Sequence, residues 1–507
     1  MSLACIYTRA RIGLDAPSVC TEIHLSNGLP AFQMVGMAET SVREAKNRVR
    51  SAIINCGFEF PQKKIIVNLA PADLPKEGGH FDLPIAVGIL VASGQLPKHS
   101  IERLEFAGEL ALNGQLRRIV GDIPMAIAAR NAGRKLILPS ENADIACRVA
   151  GAEIIALQCL DQLFSHLSGQ QVLPLSEYQH MPAPKAAFAN DMCDVIGQPL
   201  AKRALELAAA GAHNLLFIGP PGTGKTMLAS RLPSILPPMT NEEALETAAI
   251  HSVCQHDIDL QYWQQRPFRS PHHTASSAAL VGGGSTPIPG EISLAHNGIL
   301  FLDELPEYDR KVLDVLREPM ESGEVTISRA LQKATYPAKF QLVAAMNPSP
   351  TGFYSDKRST PEQTLRYLSK LSGPFLDRID IQLEVARLPR GAWAQSSAQE
   401  ESSESVLQRV IQCRQRQQQR QGKTNAHLTS PELKQYCQLT TDDAEFLDLA
   451  LEKLGLSTRA HHKILKIART IADLKQQTDI DRHHLVEALS YRAMDRLIRL
   501  LTESVTP

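Results

Sequence analysis

No apolar run reaches the roughly 18 residues that a membrane-spanning helix needs. The opening Met1-Ser2-Leu3-Ala4-Cys5 also lacks the basic and long apolar regions of a secretory leader. The nine cysteines form no CxxC pair and no spaced ligand cluster, and their odd number argues for reduced thiols over a disulfide framework. Excess charge of one sign is missing too: 53 Lys and Arg stand against 54 Asp and Glu, so no overall field draws the chain to nucleic acid or an anionic membrane. Any such binding has to come from local patches. Internal repeats and low-complexity tracts are absent apart from the Gln/Arg-rich stretch 412–421. The expectation is a cytoplasmic protein with no membrane partner.

At 507 residues the chain exceeds what one hydrophobic core sustains, and roughly three domains are expected. Residues 1–165 read as mixed α and β, with Asn27-Gly28 predicting a hairpin, 41–55 a helix and 64–69 a strand. A linker is expected over 166–190, where Gly169, Pro174, Pro182 and Pro184 fall. Residues 191–388 alternate apolar strands with helices, the pattern of a parallel α/β sheet, with strands at 215–218, 299–302 and 340–346. A Ser/Gln/Glu-rich connection over 389–405 leads to an all-helical module, 406–507.

The chemistry concentrates in the middle segment. Gly219-Pro220-Pro221-Gly222-Thr223-Gly224-Lys225-Thr226 fits the phosphate-binding pattern G-x-x-x-x-G-K-[ST], with an apolar strand before it and a helix after it. Glycines let backbone N–H groups converge on phosphate oxygens, and the helix N-terminus adds partial positive charge. Lys225 is expected at the outer phosphates of ATP and Thr226 at Mg2+. Asp303-Glu304, at the end of the second apolar strand, supplies a carboxylate for the metal and a second to act as general base on water. Asn347, at the tip of the third strand, brings a neutral amide toward the γ-phosphate, although Asn-Pro is equally a turn starter.

With these motifs stand 195–198 (Val-Ile-Gly-Gln), 269–274 (Arg-Ser-Pro-His-His-Thr), 290–296, 372–378 (Ser-Gly-Pro-Phe-Leu-Asp-Arg) and 457–460 (Ser-Thr-Arg-Ala). On this set the chain resembles the AAA+ ATPases, and more narrowly the magnesium-chelatase-like ComM/YifB family, over essentially its whole length. The resemblance implies an α/β fold: a P-loop parallel-sheet core with a helical lid, preceded by a Lon/S5-like α+β domain. It further implies a homo-oligomeric ring, usually a hexamer, with ATP between subunits. By the same resemblance Arg378 is the finger that reaches a neighbouring site, Arg459 is the lid's sensor arginine, and Val195, Ile196, Gly197 and Gln198 contact adenine. Surface ion pairs, for Arg378 with Asp377 or Asp380, and a plain loop are the alternatives. His272 and His273 read as structural or interface histidines, since adjacent side chains diverge and no third ligand is spaced nearby. Many relatives carry a cysteine cluster after the asparagine; this chain has no cysteine between Asn347 and Asp377, so no zinc is expected there.

Pro75-Lys76-Glu77-Gly78-Gly79-His80 and the glycines around 108–114 resemble the proteolytic domain of Lon-type proteases. His80 and Ile123 occupy the positions matching that family's serine and lysine. Serine attack needs a hydroxyl beside a proton acceptor, so no peptidase activity is expected.

The substrate of the motor is less explicit. Residues 280–290 read as a glycine-rich insertion too flexible to be core, and 325–329 with 334–338 as hairpin arms carrying Arg329 and Lys333 near the tip. In the related clade such elements face the ring's pore. A basic tip follows phosphates by charge, although a solvated hairpin fits the spacing equally. Arg409, Arg414, Arg416, Arg420 and Lys423 form a second basic run, of a kind that is usually a solvated face. The family resemblance implies a DNA motor that unwinds and branch-migrates single-stranded and branched DNA during recombination, with recombination proteins as further partners. A chelatase-type remodeller of a protein partner is the rival.

Overall fold

The computed structural model describes residues 3–36, 39–177, 190–254, 259–284, 287–328, 333–353, 359–388 and 400–505. The first sheet has seven strands, in spatial order Ala31–Val35, Lys64–Ala70, Ser18–Ser26, Leu3–Arg9, Leu104–Phe106, Lys135–Pro139 and Ile154–Leu157. Period-two patterning sets its faces: Val19, Ile23 and Leu25 point inward with Ile65, Val67 and Leu69. The almost wholly buried helix Asp82–Ala92 lies on that inner face. A Cβ on Gly88 would stand 2.4 Å from Ile23 Cγ1, so glycine sets the approach of helix to sheet.

The hairpin expected at Asn27-Gly28 does not form. Strand Lys64–Ala70 inserts between the two segments, pairing antiparallel with Ser18–Ser26 and parallel with Ala31–Val35. Alternation told which side chains face inward, but it carries no information about the partner strand. The helical stretch 41–55 is present with a break, as Thr40–Arg43 and Ala45–Asn55.

The second sheet is entirely parallel, in the order Phe268–Arg269, Ile299–Leu302, Gln341–Met346, Leu215–Ile218, Ile381–Glu384. Its three central strands are buried at every position and apolar except for Gln341, because both faces are covered. Leu215 and Phe217 face one core, which they share with Val410, Ile464, Ile467 and Ile471 of the carboxy-terminal helices. Leu216 and Ile218 face the other, with Leu280, Val325 and Tyr336. This is an α/β P-loop core of AAA+ type, and the helical module is welded to it by a common interior.

Two insertions decorate the sheet. Glu324–Ser328 and Lys333–Pro337 form the expected antiparallel hairpin, with Ser328 opposite Lys333; Arg329 lies outside the described residues. The described residues of the glycine-rich segment are not loose, contrary to expectation: Leu280 is fully buried and Gly282–Gly283 pairs with Ile288–Pro289, while 285–286 lie outside the described residues. Added Cβ atoms would stand 2.2 Å from Ile288 O at Gly282 and 2.4 Å from Leu280 O at Gly290. These glycines serve close backbone approach, which composition cannot distinguish from flexibility.

The amino-terminal unit is fastened to the parallel-sheet core. Gly121 N donates to Ser252 O at 3.1 Å, and Ile123, Met125, Ala244, Ala248 and Trp263 share one apolar cluster. In the segment expected to be a linker, helix Leu160–Leu167 runs into its start, and 178–189 lie outside the described residues. Of the second connection, 389–399 lie outside, while Glu400 pairs with Lys202 at 2.6 Å and helix Ser403–Gln421 has begun. No helix among the described residues is long and apolar enough to cross a membrane.

Candidate nucleotide site

Three neighbouring strands of the parallel sheet end together and deliver the polar cluster. Beyond Ile218 the chain turns through Gly222 and Gly224, at φ 78° and 83°, a region that favours glycine, and enters the helix at Lys225. Gly219 lies so close to the next strand that a Cβ would stand 2.4 Å from Val385 O. The Lys225 ammonium donates to Gly219 O at 2.7 Å, Pro220 O at 3.0 Å and Asn347 Oδ1 at 3.2 Å. Burial lowers its pKa, and Asp303 and Glu304 only partly oppose this. A cation so placed, with neutral acceptors around it, suits a phosphate.

Thr226 Oγ1 donates to Asp303 Oδ2 at 2.6 Å. A hydroxyl and a carboxylate facing each other form the all-oxygen set that a hard divalent cation takes, and both fit Mg2+ held beside a triphosphate. Asp303 Oδ1 also accepts from the Glu304 N–H at 2.9 Å, which fixes the turn leaving the strand. Glu304 itself has φ 51° and an exposed carboxylate, whose Oε2 lies 3.2 Å from His273 Nδ1. Sequence reading missed this pairing; only the packing of Phe268–Arg269 beside Ile299–Leu302 creates it.

Val195 is buried, Gly197 N donates to Glu400 Oε1 at 3.0 Å, and Gln198 Nε2 donates to Ala386 O at 2.8 Å. The 195–198 loop thus packs against the stretch after strand Ile381–Glu384, and Val385 N donates back to Ile218 O at 2.7 Å beside the phosphate loop. Neither expected arginine turns toward its own phosphate loop. Arg378 donates to Pro374 O and Glu321, and Arg459, 71% exposed, donates to Asp377 at 2.9 Å. The ion pairs therefore differ from those expected: Asp377 holds Arg459, while Asp380 faces Lys463 at 3.6 Å and His213 at 3.5 Å. Burial pushes the Asp380 carboxyl up, but Lys463 and His213 outweigh burial and hold it below the usual range. Lys463 is pushed down by burial to about 8, with Asp380 partly opposing.

The basic run on Ser403–Gln421 faces inward. Arg409 pairs with Glu206 and Glu401, and Arg414 caps Ala209 O at 2.7 Å. Arg420 pairs with buried Asp473 at 2.6 Å, and Lys423 with Glu432 at 2.8 Å. Arg409 and Arg414 thus lie on the seam between helical module and core, while Arg420 and Lys423 pair within the module.

Where the amino-terminal unit meets the core, His80, Glu77, Glu109, Arg11 and Arg118 line a cavity of about 430 Å³ with Ser252 of the core. Burial lowers the His80 pKa to about 4; its Nε2 lies 2.9 Å from Arg9 O, so the neutral ring donates there. Ile123 is fully buried. Strand register also gathers Cys5, Cys20 and Glu22, whose ligand atoms lie within 4.8 Å of one another, a proximity no sequence spacing displays. Burial first, then Cys5 and Glu22, raise the Cys20 thiol to about 12, which keeps it protonated.

The fold and cluster define a magnesium-chelatase-like protein of the AAA+ ATPase class. The family described as "Magnesium chelatase, subunit ChlI" matches residues 191–393, "Subunit ChlI of Mg-chelatase" matches 21–142, and "Magnesium chelatase, subunit ChlI C-terminal" matches 400–492. The chain is 56% identical to YifB of Salmonella typhimurium, covering 98% of each protein. It is 55% identical to "Competence protein ComM" of Haemophilus influenzae over 99% of this chain and 100% of that one. It is also 54% identical to YifB of Escherichia coli over the full length of both. The chain belongs to the ComM/YifB family.

Proposed function

We propose that this chain is the subunit of an ATP-driven ring that moves on single-stranded and branched DNA and promotes its integration by recombination. The observation that carries the reading is the convergence of Lys225, Thr226, Asp303 and Asn347 at the tips of adjacent parallel strands. The 55% identity to a protein named for competence supports a role in transformation and so DNA as the track. Lys333, at the exposed hairpin end, supports a charge-based, sequence-independent contact.

Magnesium-bound ATP brings the scissile phosphoanhydride and its charge. The glycine loop orients the phosphates through backbone N–H groups, and Lys225 exchanges its carbonyl partners for phosphate oxygens. Thr226 and, through water, Asp303 would hold the metal. Glu304 accepts the proton of the attacking water, while Asn347 orients that water without adding charge. The 195–198 loop takes the adenine. Arg378 acts as the finger where subunits meet and Arg459 as the sensor of the helical lid: each is an always-charged fork that stabilises transferring phosphate oxygens once it leaves its acidic partner. Residues 1–165 are a Lon-protease-like domain without peptidase activity, because His80 brings no hydroxyl and Ile123 no amine to the positions where that chemistry needs them.

The test is ATPase rate with and without single-stranded and forked DNA at low and moderate salt. Stimulation that weakens with salt is expected; absence of both stimulation and salt-dependent binding overturns the reading. The match to ChlI descriptions from residue 21 to 492 favours a second reading, a remodeller of a protein partner, which the same assay separates by its indifference to DNA.

A further inference from the structure

We propose that Cys5, Cys20 and Glu22 form a binding site for a thiophilic divalent cation, with Zn2+ as its ion, on the face of the first sheet turned away from helix Asp82–Ala92. Register brings the donors together. Leu3–Arg9 and Ser18–Ser26 pair antiparallel, with Cys5 opposite Glu22 and Tyr7 opposite Cys20. Ala4, Ile6, Val19, Thr21 and Ile23 are buried on the inner face, so period-two alternation turns Cys5, Cys20 and Glu22 to the other one, where all three are half-buried. One ligand atom from each lies within 4.8 Å of the other two. Zn–S bonds of about 2.3 Å at tetrahedral angles set two sulfurs about 3.8 Å apart, a spacing that side chains so gathered reach by small rotations.

The next strand supports the arrangement. Asn68 of Lys64–Ala70 stands opposite Glu22, and its Nδ2 donates to Glu22 Oε2 at 2.8 Å. A ligating carboxylate is held in this way by neighbours that are not themselves ligands. Charge is matched as well. Two thiolates and a carboxylate around a divalent ion leave one negative charge, which the guanidinium of Arg134, close enough to act on Cys20, offsets. Arg134 shares Glu105 with Arg9, so that group keeps a net positive charge, and it lies 3.7 Å over the Tyr7 ring. The donor set selects the ion. Sulfur is too soft for Mg2+ or Ca2+, whose sites are built of oxygen, whereas two thiolates and a carboxylate, with water in the fourth position, suit Zn2+. A disulfide fits less well, because the two cysteines are diagonal and not opposite, and diagonal partners stand about 7–8 Å apart, beyond the usual Cα span of a bridge. On binding, each thiol gives its proton to solvent as its sulfur takes up the metal. The ion then ties Leu3–Arg9 to Ser18–Ser26.

The experiment takes the full chain, reduced, stripped of metal with a chelator and kept free of nucleotide, and titrates it with Co2+ and then Zn2+. Co2+ should produce the sulfur-to-metal charge-transfer band and the strong visible bands of a tetrahedral thiolate site, saturating at one ion per chain, and Zn2+ should abolish them. Cys5→Val and Cys20→Val, which keep strand-forming side chains, should lose these bands, while Cys56→Ala and Cys159→Ala should keep them. Asn68→Ala should weaken binding about 10-fold, and Glu22→Gln at least as much. Amide exchange gives a second readout. With free Zn2+ at about 100 times Kd, opening of Leu3–Arg9 and Ser18–Ser26 should slow about 100-fold in the wild type and stay unchanged in Cys20→Val. Absence of the charge-transfer band in the wild type overturns the proposal, as does its persistence in both valine variants or exchange indifferent to Zn2+. Should a valine variant fail to fold, the wild-type spectra and exchange, with Glu22→Gln, decide the matter.

Discussion

Replacing Asp380 tests how the helical module is held against the sheet. Asp380 accepts from Asn214 N at 3.3 Å and faces His213 and Lys463, while Lys463 Nζ also donates to Ile379 O at 3.0 Å. With a pKa of about 8 against about 10.4 unfolded, keeping Lys463 charged already costs roughly 3 kcal/mol. Discharging it at pH 7 costs roughly 5 kcal/mol, so in Asp380→Asn the added lysine penalty is capped at roughly 1–2 kcal/mol. The weakened contacts to Asn214 and His213 bring the expected total to roughly 2–4 kcal/mol. The sign with pH follows. Because the folded pKa of Lys463 is lowered, stability rises with pH between about 8 and 10.4 in the wild type. In the variant that rise begins at lower pH, and by pH 9 the lysine is mostly neutral in both. The Asp380 carboxyl is held below its usual range, so its own contribution is constant from pH 7 to 9 and is lost only on acidification. The assay is hydrogen exchange of amides in helix Thr458–Leu474, which reads local opening without assuming a two-state chain. Protection should fall at pH 7, recover in part at pH 9, and return when Lys463→Met is added. A deficit of equal size at both pH values refutes the argument that the stranded lysine causes it.

Three further outcomes are expected. Glu304→Gln should bind ATP and assemble normally while turnover falls by at least about 100-fold, measured by nucleotide binding beside phosphate release. Mixing Arg378→Ala with Lys225→Ala subunits should regain ATPase activity that neither has alone, since some interfaces of a mixed ring keep both groups; no recovery under verified mixing counts against a shared site. His80, with a folded pKa of about 4 against about 6.5 unfolded, is protonated first in the unfolded chain. The amino-terminal unit should therefore lose up to roughly 3 kcal/mol as pH falls from 6.5 to 4. Exchange in helix Asp82–Ala92, corrected for intrinsic rate, should show that loss, and His80→Gln should flatten it.

Local chemistry was legible wherever one stretch of chain carries the whole message. The phosphate loop needs its glycines, lysine and threonine in contiguous order, and its flanking strand is apolar because both faces are covered, so motif and strand are visible together. The hairpin at Glu324–Ser328 and Lys333–Pro337 was legible for the same reason. The basic run of helix Ser403–Gln421 was not: charge content leaves open whether Arg420 meets solvent or the buried Asp473. The glycines of the insertion misled in a similar way, since composition reports freedom where the fold uses thinness.

By itself the sequence determined the order of elements, the phosphate loop, the acidic pair and the face that each strand buries, because these follow from residues adjacent in the chain or two apart. Tertiary structure alone decided which strands are neighbours. Sheet order is settled by packing between segments from about thirty to more than a hundred residues apart, and that order put Lys64–Ala70 where a hairpin was expected, Asn347 beside Lys225, and His273 against Glu304.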